Sequence, residues 1–299
     1  MNKQTRFSIV IPCYNEAAFI GETLLSIKKQ DFKGRFEIIV VDNNCSDETA
    51  AIASSMGAKV VMEPTPGVCQ ARQAGSIAAS GQIIISTDAD TTFSTNWLSN
   101  IDKLFKDHPE AVAIGGACHY KDGPLWGGAY TSLLFGFVQF VYNVSGRPIY
   151  ASATNIAFKK SVWSGYDTTL TQGGDEVGLL RNLRKNGKVI FSNVNPTQTS
   201  GRRLEKGFIY NFFVTFLFYY FLEYNMSRLF KMRLIGAAPA FRAKNVPAAP
   251  SYSNVVFAGL AALTIGLLSL PQPRHRVAKL SYEITDKIVQ EVSHRNILP

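Results

Sequence analysis

Short apolar runs, each closed by acids or amides, constrain this chain more than any other feature. Residues 7–11, 36–41, 58–62 and 82–86 each read as a strand. The first, second and fourth are followed by Asn15-Glu16, by Asp42-Asn43-Asn44 and by Asp88-Ala89-Asp90. Between the runs, Ile20, Leu24 and Ile27 recur at helical spacing, Ser46 caps a helix over 46–56, and 70–79 predicts a small-residue helix before Gly81. A helix over 97–105 and a strand over 111–117 follow. Runs apolar on both faces that alternate with helices imply a parallel sheet covered on both sides. Ligands of such sheets bind at the carboxyl ends of the strands, where these polar residues fall.

Further along, 155–159 and 188–191 predict strands, and 177–186 a helix stopped by Gly187. With 299 residues there is room for one large or two moderate domains. Hydrophobic residues at 46% and charged residues at 18% exclude a disordered chain. Four cysteines, Cys13, Cys45, Cys69 and Cys118, are too few for a disulfide scaffold, and no C-x-x-C pair supports zinc or redox chemistry. They are expected as reduced core or strand-end residues. No histidine shows metal-ligand spacing, and Trp97 and Trp163 read as core; Trp126 is a modest candidate for acceptor contact.

Residues i and i+2 of a strand point the same way, so Asp88 and Asp90 can present two carboxylates together. Such a pair can hold Mg²⁺ or Mn²⁺ against a diphosphate, and the ion neutralises charge on a departing diphosphate. The plainer alternative is a solvated turn. Asp42 can accept hydrogen bonds from a base or ribose, or simply cap its own turn. Asp175-Glu176 can supply a general base, or can be two acids favoured by a helix N-terminus. Arg202 and Arg203 have the fork geometry to clamp a diphosphate; they equally fit as membrane-surface charge. Gly173-Gly174 suits either a loop approaching substrate or an ordinary turn.

Four segments together resemble glycosyltransferase family 2, over about residues 7–207. They are Val10-Ile11-Pro12-Cys13-Tyr14-Asn15-Glu16, Val40-Val41-Asp42-Asn43-Asn44-Cys45-Ser46-Asp47, Gly67 through Ala71-Arg72, and Asp88-Ala89-Asp90. The resemblance implies a GT-A fold, a nucleotide-diphosphate sugar donor of UDP or GDP type, and inversion at the sugar carbon. Carried onto this chain, Pro12, Tyr14 and Glu16 would line the nucleoside pocket and Asp42 would hold the base or ribose. Arg72 would reach the donor, Asp88 would face the ribose or sugar, and Asp90 would bind the metal. The family's base lies in a Glu-Asp pair opening a helix. Here the order is reversed, so register favours Glu176 with Asp175 beside it. Ser200-Gly201-Arg202-Arg203 also resembles a family segment.

The charge is uneven. Residues 201–299 carry 13 Lys/Arg against 5 Asp/Glu, a net +8 of the total +9. The same third holds the apolar stretches 208–224, with ten aromatics, and 253–270, with no charge. A helical stripe of Val277, Leu280, Ile284, Ile288 and Val292 follows. Basic and apolar together point to a membrane surface rather than to nucleic acid. The stretches 208–224 and 253–270 can span, re-enter or lie in the interface. The charge-free segment 123–146 is expected near the same surface. No N-terminal targeting segment precedes the first run, which predicts a cytoplasmic location for the first part.

The expected architecture is α/β, a GT-A type doubly wound and mostly parallel sheet, followed by a helical, membrane-associated region. A catalytic domain over 1–207 divides into a donor half, 1–120, and an acceptor half, 121–207; the membrane region covers 208–299. The expected activity is metal-dependent sugar transfer to a lipid-linked or glycan acceptor at the cytoplasmic membrane face, in cell-envelope glycan synthesis. The rival is a nucleotide-sugar-binding scaffold that has lost catalysis. A nucleotidyltransferase is disfavoured because the loop after the first strand lacks a Gly-rich phosphate loop. A dinucleotide oxidoreductase is disfavoured by the absence of G-x-G-x-x-G. No Gln/Arg-x-x-Arg-Trp segment follows the base, which favours single-sugar addition over a processive polymerase.

Overall fold

A computed structural model describes residues 4–169 and 175–207, with the backbone alone at Asp175, Arg203 and Lys206. The expected region 208–299 and Gly173-Gly174 lie outside the described residues.

The donor half builds as its pattern demands. Strand β1 (Phe7–Cys13) leads through helix α1 (Ala17–Lys28) to β2 (Phe36–Asp42), then α2 (Thr49–Ser55), β3 (Lys59–Met62), α3 (Val68–Ala78) and β4 (Ile83–Ser86). These four strands pair in parallel, with β1 between β2 and β4. Alternation sorts the side chains by face. Phe7, Ile9 and Ile11 pack with Ile20, Leu24 and Ile27 of α1 and with Trp97 and Phe105. Val10, Ile39 and Val41 pack on the opposite face with Ala71 of α3, Phe135 and Leu180. The α3 face approaches closely because of Gly75, where a Cβ would crowd Val10 and Val41. One boundary moves: α2 begins at Thr49, not Ser46. Asp47 Oδ1 accepts from the Thr49 amide at 3.1 Å and from its hydroxyl at 2.5 Å, holding 46–48 in a turn.

Beyond β4 the sheet stays mostly parallel, as expected, but antiparallel strands enter it. After β5 (Thr91–Thr92) and α4 (Trp97–Asp107) come β6 (Ala111–Tyr120), α5 (Trp126–Ser145), β7 (Ile156–Lys159), α6 (Asp175–Leu183) and β8 (Lys188–Thr199). The eight strands lie in the order β3-β2-β1-β4-β7-β6-β8-β5. Strand β7 enters antiparallel between β4 and β6, and β5 pairs antiparallel with β8 at the edge. Strands β6 and β8 run parallel to each other and, across β7, in the same sense as β1 to β4. The sheet is therefore mixed, with six of its eight strands sharing one direction.

One buried amide ties the elements after β4 together. Asn155 accepts from Trp97 Nε1 at 3.1 Å and donates through Nδ2 to the carbonyls of Ala117 at 3.0 Å and Asn195 at 2.8 Å. A Cβ at Gly116 would overlap this amide, so glycine is required there. Trp97 is fully buried and stacks on Phe93, and Trp163 packs against the second core. None of the four cysteines forms a disulfide; Cys13, Cys69 and Cys118 are buried. Burial, reinforced by the Asp42 carboxylate, pushes the Cys45 thiol up to about 11.

Helix α5 buries only Gly127, Thr131, Phe135 and Val138. Leu133, Phe137, Phe140 and Val144 remain exposed on it. Among the described residues, no helix is long and apolar enough to cross a membrane.

Candidate active site

Because β1, β2, β4 and β8 point the same way, the segments leaving them converge at one end of the sheet. Amide side chains stitch together the loops that follow β1, β2 and β3. Asn15 adopts φ 55°, a left-handed conformation that asparagine tolerates, and its Oδ1 accepts from the Ser46 amide at 2.7 Å. Asn43 donates to the carbonyls of Glu63 and Thr65, both at 2.7 Å, and accepts from the Gly67 amide at 2.8 Å. Gly67, with φ 141°, opens α3 and thereby places Arg72. The first amides of α1 have no partner inside the helix. The first of them, Ala17 N, is met by Asp47 Oδ2 at 3.0 Å, and the Glu16 amide just before the helix by Thr49 Oγ1, at the start of α2, at 2.8 Å.

Asp42 is buried at the end of β2, and its Oδ1 accepts from the Cys45 amide at 2.8 Å. It therefore forms its own turn at the end of the strand. Pro12 is the penultimate residue of β1, opposite Val41, and Tyr14 is half-buried in the loop beyond.

The two carboxylates after β4 are each met by an arginine. Arg72 Nη2 lies 2.6 Å from Asp88 Oδ1; the Arg72 side chain is 4% exposed and that of Asp88 36%. Arg202 Nη2 lies 2.7 Å from Asp90 Oδ2 and 3.0 Å from Glu16 Oε1. The Asp90 side chain is 12% exposed and that of Arg202 18%. Thr199 Oγ1 donates to the other oxygen, Asp90 Oδ1, at 3.1 Å. The guanidinium also lies 4.5 Å from the centre of the Phe19 ring, a favourable cation–π distance.

Arg202 reaches this place through pairings that periodicity did not signal. The strand expected over 188–191 continues to Thr199, and Thr91 and Thr92 pair with Thr199 and Gln198. That short ladder brings the segment after β8 to the Asp88-Ala89-Asp90 turn. Gly201 then packs on the backbone of Asp122, where a Cβ would overlap the Asp122 carbonyl oxygen, and its amide donates to Asp122 Oδ1. The side chain of Arg203 lies outside the described residues.

Burial raises the pKa of Glu16; Arg202 opposes the shift, while Asp90 and Asp88 add to it. Burial would lower the Arg202 pKa, but Glu16 and Asp90 outweigh it and the net shift is upward. Glu16 Oε2 is buried without a hydrogen-bond partner, as are the hydroxyls of Ser86, Thr87 and Thr91 around the turn.

Glu176 is the second residue of α6 and is 3% exposed. Helix α6 precedes β8 and packs on β6 and β8, so its N-terminus points toward the carboxyl ends of those strands. The side chain of Asp175 lies outside the described residues. His119 Nδ1 is hydrogen-bonded to Thr131 Oγ1 of α5 at 3.2 Å. Trp126 opens α5, half-buried and edge-on to Tyr130.

The arrangement gathers three carboxylates, Glu16, Asp88 and Asp90, against two guanidiniums, Arg72 and Arg202. Among the described residues, no group of three or more His, Cys, Asp or Glu side chains forms a ready metal cluster. The donor set still suits a hard divalent ion, since one or two carboxylates completed by phosphate oxygens suffice. The unpartnered oxygen of Glu16 marks anionic capacity that Arg202 leaves unsatisfied.

A mixed sheet with acids collected at the carboxyl ends of its parallel strands places the chain in the GT-A-like class of folds. Residues 8–163 match the family described as Glycosyl transferase family 2, and the chain belongs to that family. Among curated proteins, it is 40% identical over 83 residues to an uncharacterised glycosyltransferase of Mycobacterium bovis, covering 28% of this chain and 36% of that one. It is 31% identical over 106 residues to a dolichyl-phosphate hexose transferase of Haloferax volcanii, covering 36% and 46% respectively. The matched stretches thus span less than half the length of these relatives. Among solved structures, a mannosyltransferase of Pyrobaculum calidifontis, in complex with GDP-Man and Mn²⁺, superposes with a TM-score of 0.58. That match is at 19% identity over 98% of this chain and 83% of the other; at this identity the likeness is one of fold.

Proposed function

We propose that the protein is an inverting glycosyltransferase that moves a sugar from a nucleotide-diphosphate donor, of UDP or GDP type, to an acceptor hydroxyl or phosphate. The observation that carries this reading is the convergence of Asp88, Asp90, Glu16, Arg72 and Arg202 at the carboxyl end of one sheet. Asp90, with Asp88, would hold Mg²⁺ or Mn²⁺, which supplies charge neutralisation for the leaving diphosphate. Pro12, Tyr14 and Asp42 would line the nucleoside side. Arg72 keeps Asp88 oriented from the buried α3 face. Glu176, or Asp175 beside it, would take the proton of the acceptor as it attacks. The complex of the Pyrobaculum relative with GDP-Man and Mn²⁺ supports donor and metal alike. The Haloferax relative's name supports a lipid phosphate as acceptor.

The experiment is thermal unfolding of the full chain with a panel of nucleoside diphosphates and their sugars, with and without Mn²⁺. A ligand that binds only the folded form raises the midpoint by mass action; at 100 times its Kd it adds about 2.7 kcal/mol. A metal-dependent rise with one nucleotide class is expected. No rise with any nucleotide would refute the reading.

The same reading places the protein on the cytoplasmic face of a membrane, in cell-envelope glycan synthesis, with 208–299 as its membrane-associated part. Helix α5 supports this: Leu133, Phe137, Phe140 and Val144 are exposed, and residues 123–146 carry no charge. Leu204 packs beside Gly127 near the start of α5, three residues before the described chain reaches Gly207. Beyond it the sequence carries the aromatic run 208–224 and most of the net positive charge, a composition suited to anionic lipid. Cosedimentation with anionic vesicles is expected, and Phe137→Asp with Phe140→Asp should reduce it. Full recovery of the wild type in the vesicle-free supernatant would refute membrane association.

A further inference from the structure

Arg202 stands where two anionic groups meet, and it occupies the carboxylate that the proposed function gives to the metal. Its Nη2 bridges Asp90 Oδ2 at 2.7 Å and Glu16 Oε1 at 3.0 Å, and Thr199 holds Asp90 Oδ1 at 3.1 Å. Both oxygens of Asp90 are therefore engaged by donors. A divalent cation on Asp90 would stand across one carboxylate from this guanidinium, like charge against like charge. The two occupants exclude each other at Asp90. Glu16 and the Phe19 ring hold Arg202 in this same arrangement.

We propose that Arg202 is a displaceable stand-in for the divalent ion. Without donor, it neutralises Asp90 and keeps the site closed on itself. When the ion arrives with a diphosphate, Arg202 gives up Asp90 and the Phe19 ring and, pivoting on Glu16, turns to the diphosphate oxygens. Arg202 is then a positioning residue for the carboxylate and a binding residue for the donor. The metal alone meets a resistance that the metal with a diphosphate does not, because only the diphosphate gives the displaced guanidinium a new partner. The consequence is coupling between metal and nucleotide beyond their direct contact, and such coupling is reciprocal. This inference rests on the metal reading above, and the test separates the two.

The test is the nucleotide-free Mn²⁺ affinity of the full chain, read from the electron paramagnetic resonance signal of free Mn²⁺, with circular dichroism as the fold check. The variants are Arg202→Gln, Phe19→Leu, Asp90→Asn and the double variant Arg202→Gln with Asp90→Asn. Arg202→Gln is expected to bind Mn²⁺ about tenfold more tightly than the wild type, within the usual range of coupling between sites. Phe19→Leu leaves every charge in place, so it separates displacement from mere loss of a positive charge. It should tighten Mn²⁺ binding about two- to fivefold, the equivalent of one exposed or partly buried cation–π contact. The double variant should lose the gain, because the gain acts through Asp90. An unchanged or weaker Mn²⁺ affinity in both Arg202→Gln and Phe19→Leu overturns the inference. If Arg202→Gln does not fold, Phe19→Leu decides alone. If no protein binds Mn²⁺, with or without nucleotide, the metal reading falls and this inference with it. If the wild type binds Mn²⁺ through Asp90 and neither Arg202→Gln nor Phe19→Leu changes that affinity, only the inference falls.

Discussion

Replacing Asn155 with alanine should cost more stability than any single apolar truncation at the sheet edge. The side chain makes three buried hydrogen bonds, accepting from Trp97 Nε1 and donating to the carbonyls of Ala117 and Asn195. Alanine removes the partner and leaves the other three groups in place. Each buried group left unsatisfied costs about 1–3 kcal/mol, and a water entering the vacated space recovers part of that. The expected loss is about 3–5 kcal/mol, a large share of the 5–15 kcal/mol typical of a folded domain. Asn155→Asp is the sharper variant, because it keeps the Trp97 bond but turns a carboxylate oxygen toward two carbonyls. Its buried carboxyl should have a pKa raised above the unfolded value. The folded state then binds more protons, so this variant loses further stability as pH rises through the raised pKa. Urea unfolding followed by tryptophan fluorescence, with the slope checked for constancy, gives both numbers. Asn155→Ala within about 1 kcal/mol of the wild type, or Asn155→Asp with no pH trend relative to it, would refute the reasoning.

Three further outcomes are expected. Glu176→Gln should lower transfer by about 10²–10⁴-fold while nucleoside diphosphate still raises the unfolding midpoint, measured by product assay and thermal shift on the same preparation. Asp102 accepts from Arg6 Nε at 2.8 Å and from Lys106 Nζ at 2.7 Å. Burial would raise its pKa, but Lys106 and Arg6 bring it below the ordinary aspartate value. A folded pKa below the unfolded one stabilises at neutral pH, and that stability is lost as pH falls through the folded value. Asp102→Asn should therefore cost about 1 kcal/mol at pH 7, discounted for its exposed partners, with the gap to wild type closing below about pH 4 in denaturant titrations. Gly201→Ala should cost about 1–3 kcal/mol through overlap with the Asp122 carbonyl, and weaken nucleotide binding by moving Arg202; calorimetric binding at unchanged fold checks the second effect.

The donor half was legible because its strands and helices differ in period and end on turn residues. Apolar runs of five or six residues before Asn15, Asp42 and Asp88 leave little choice of element or of which end holds the polar groups. The order beyond β4 was not legible. Apolar alternation says that 155–159 is a strand, but not that it enters between β4 and β6 running backwards. The far half of β8, with Asn193, Asn195, Pro196 and Gln198, carries no apolar period, and β5 is two residues long. For the site, the sequence pointed to Asp90 and Arg202 separately. Nothing in it joins two residues 112 apart, which needs the Thr91–Thr199 pairing. The asparagines at 15, 43 and 44 were visible as loop residues, while their work of stitching adjacent loops depends on partners that only the fold brings near.

The backward strand between β4 and β6 has a consequence for how this chain is made. On a ribosome, β4 emerges with β1 already beside it, yet its other edge waits for β7, which begins 70 residues after β4 ends. At roughly 5–20 residues per second that wait is about 4–14 s. During it, Ile83, Ile84 and Ile85 present an unpaired apolar edge, the kind of surface that invites pairing with another chain. The helix α5, itself apolar, is synthesised within the same interval. Folding yield in cells should accordingly depend on holdase chaperones during translation of about residues 87–156, more than on the stability of the finished domain.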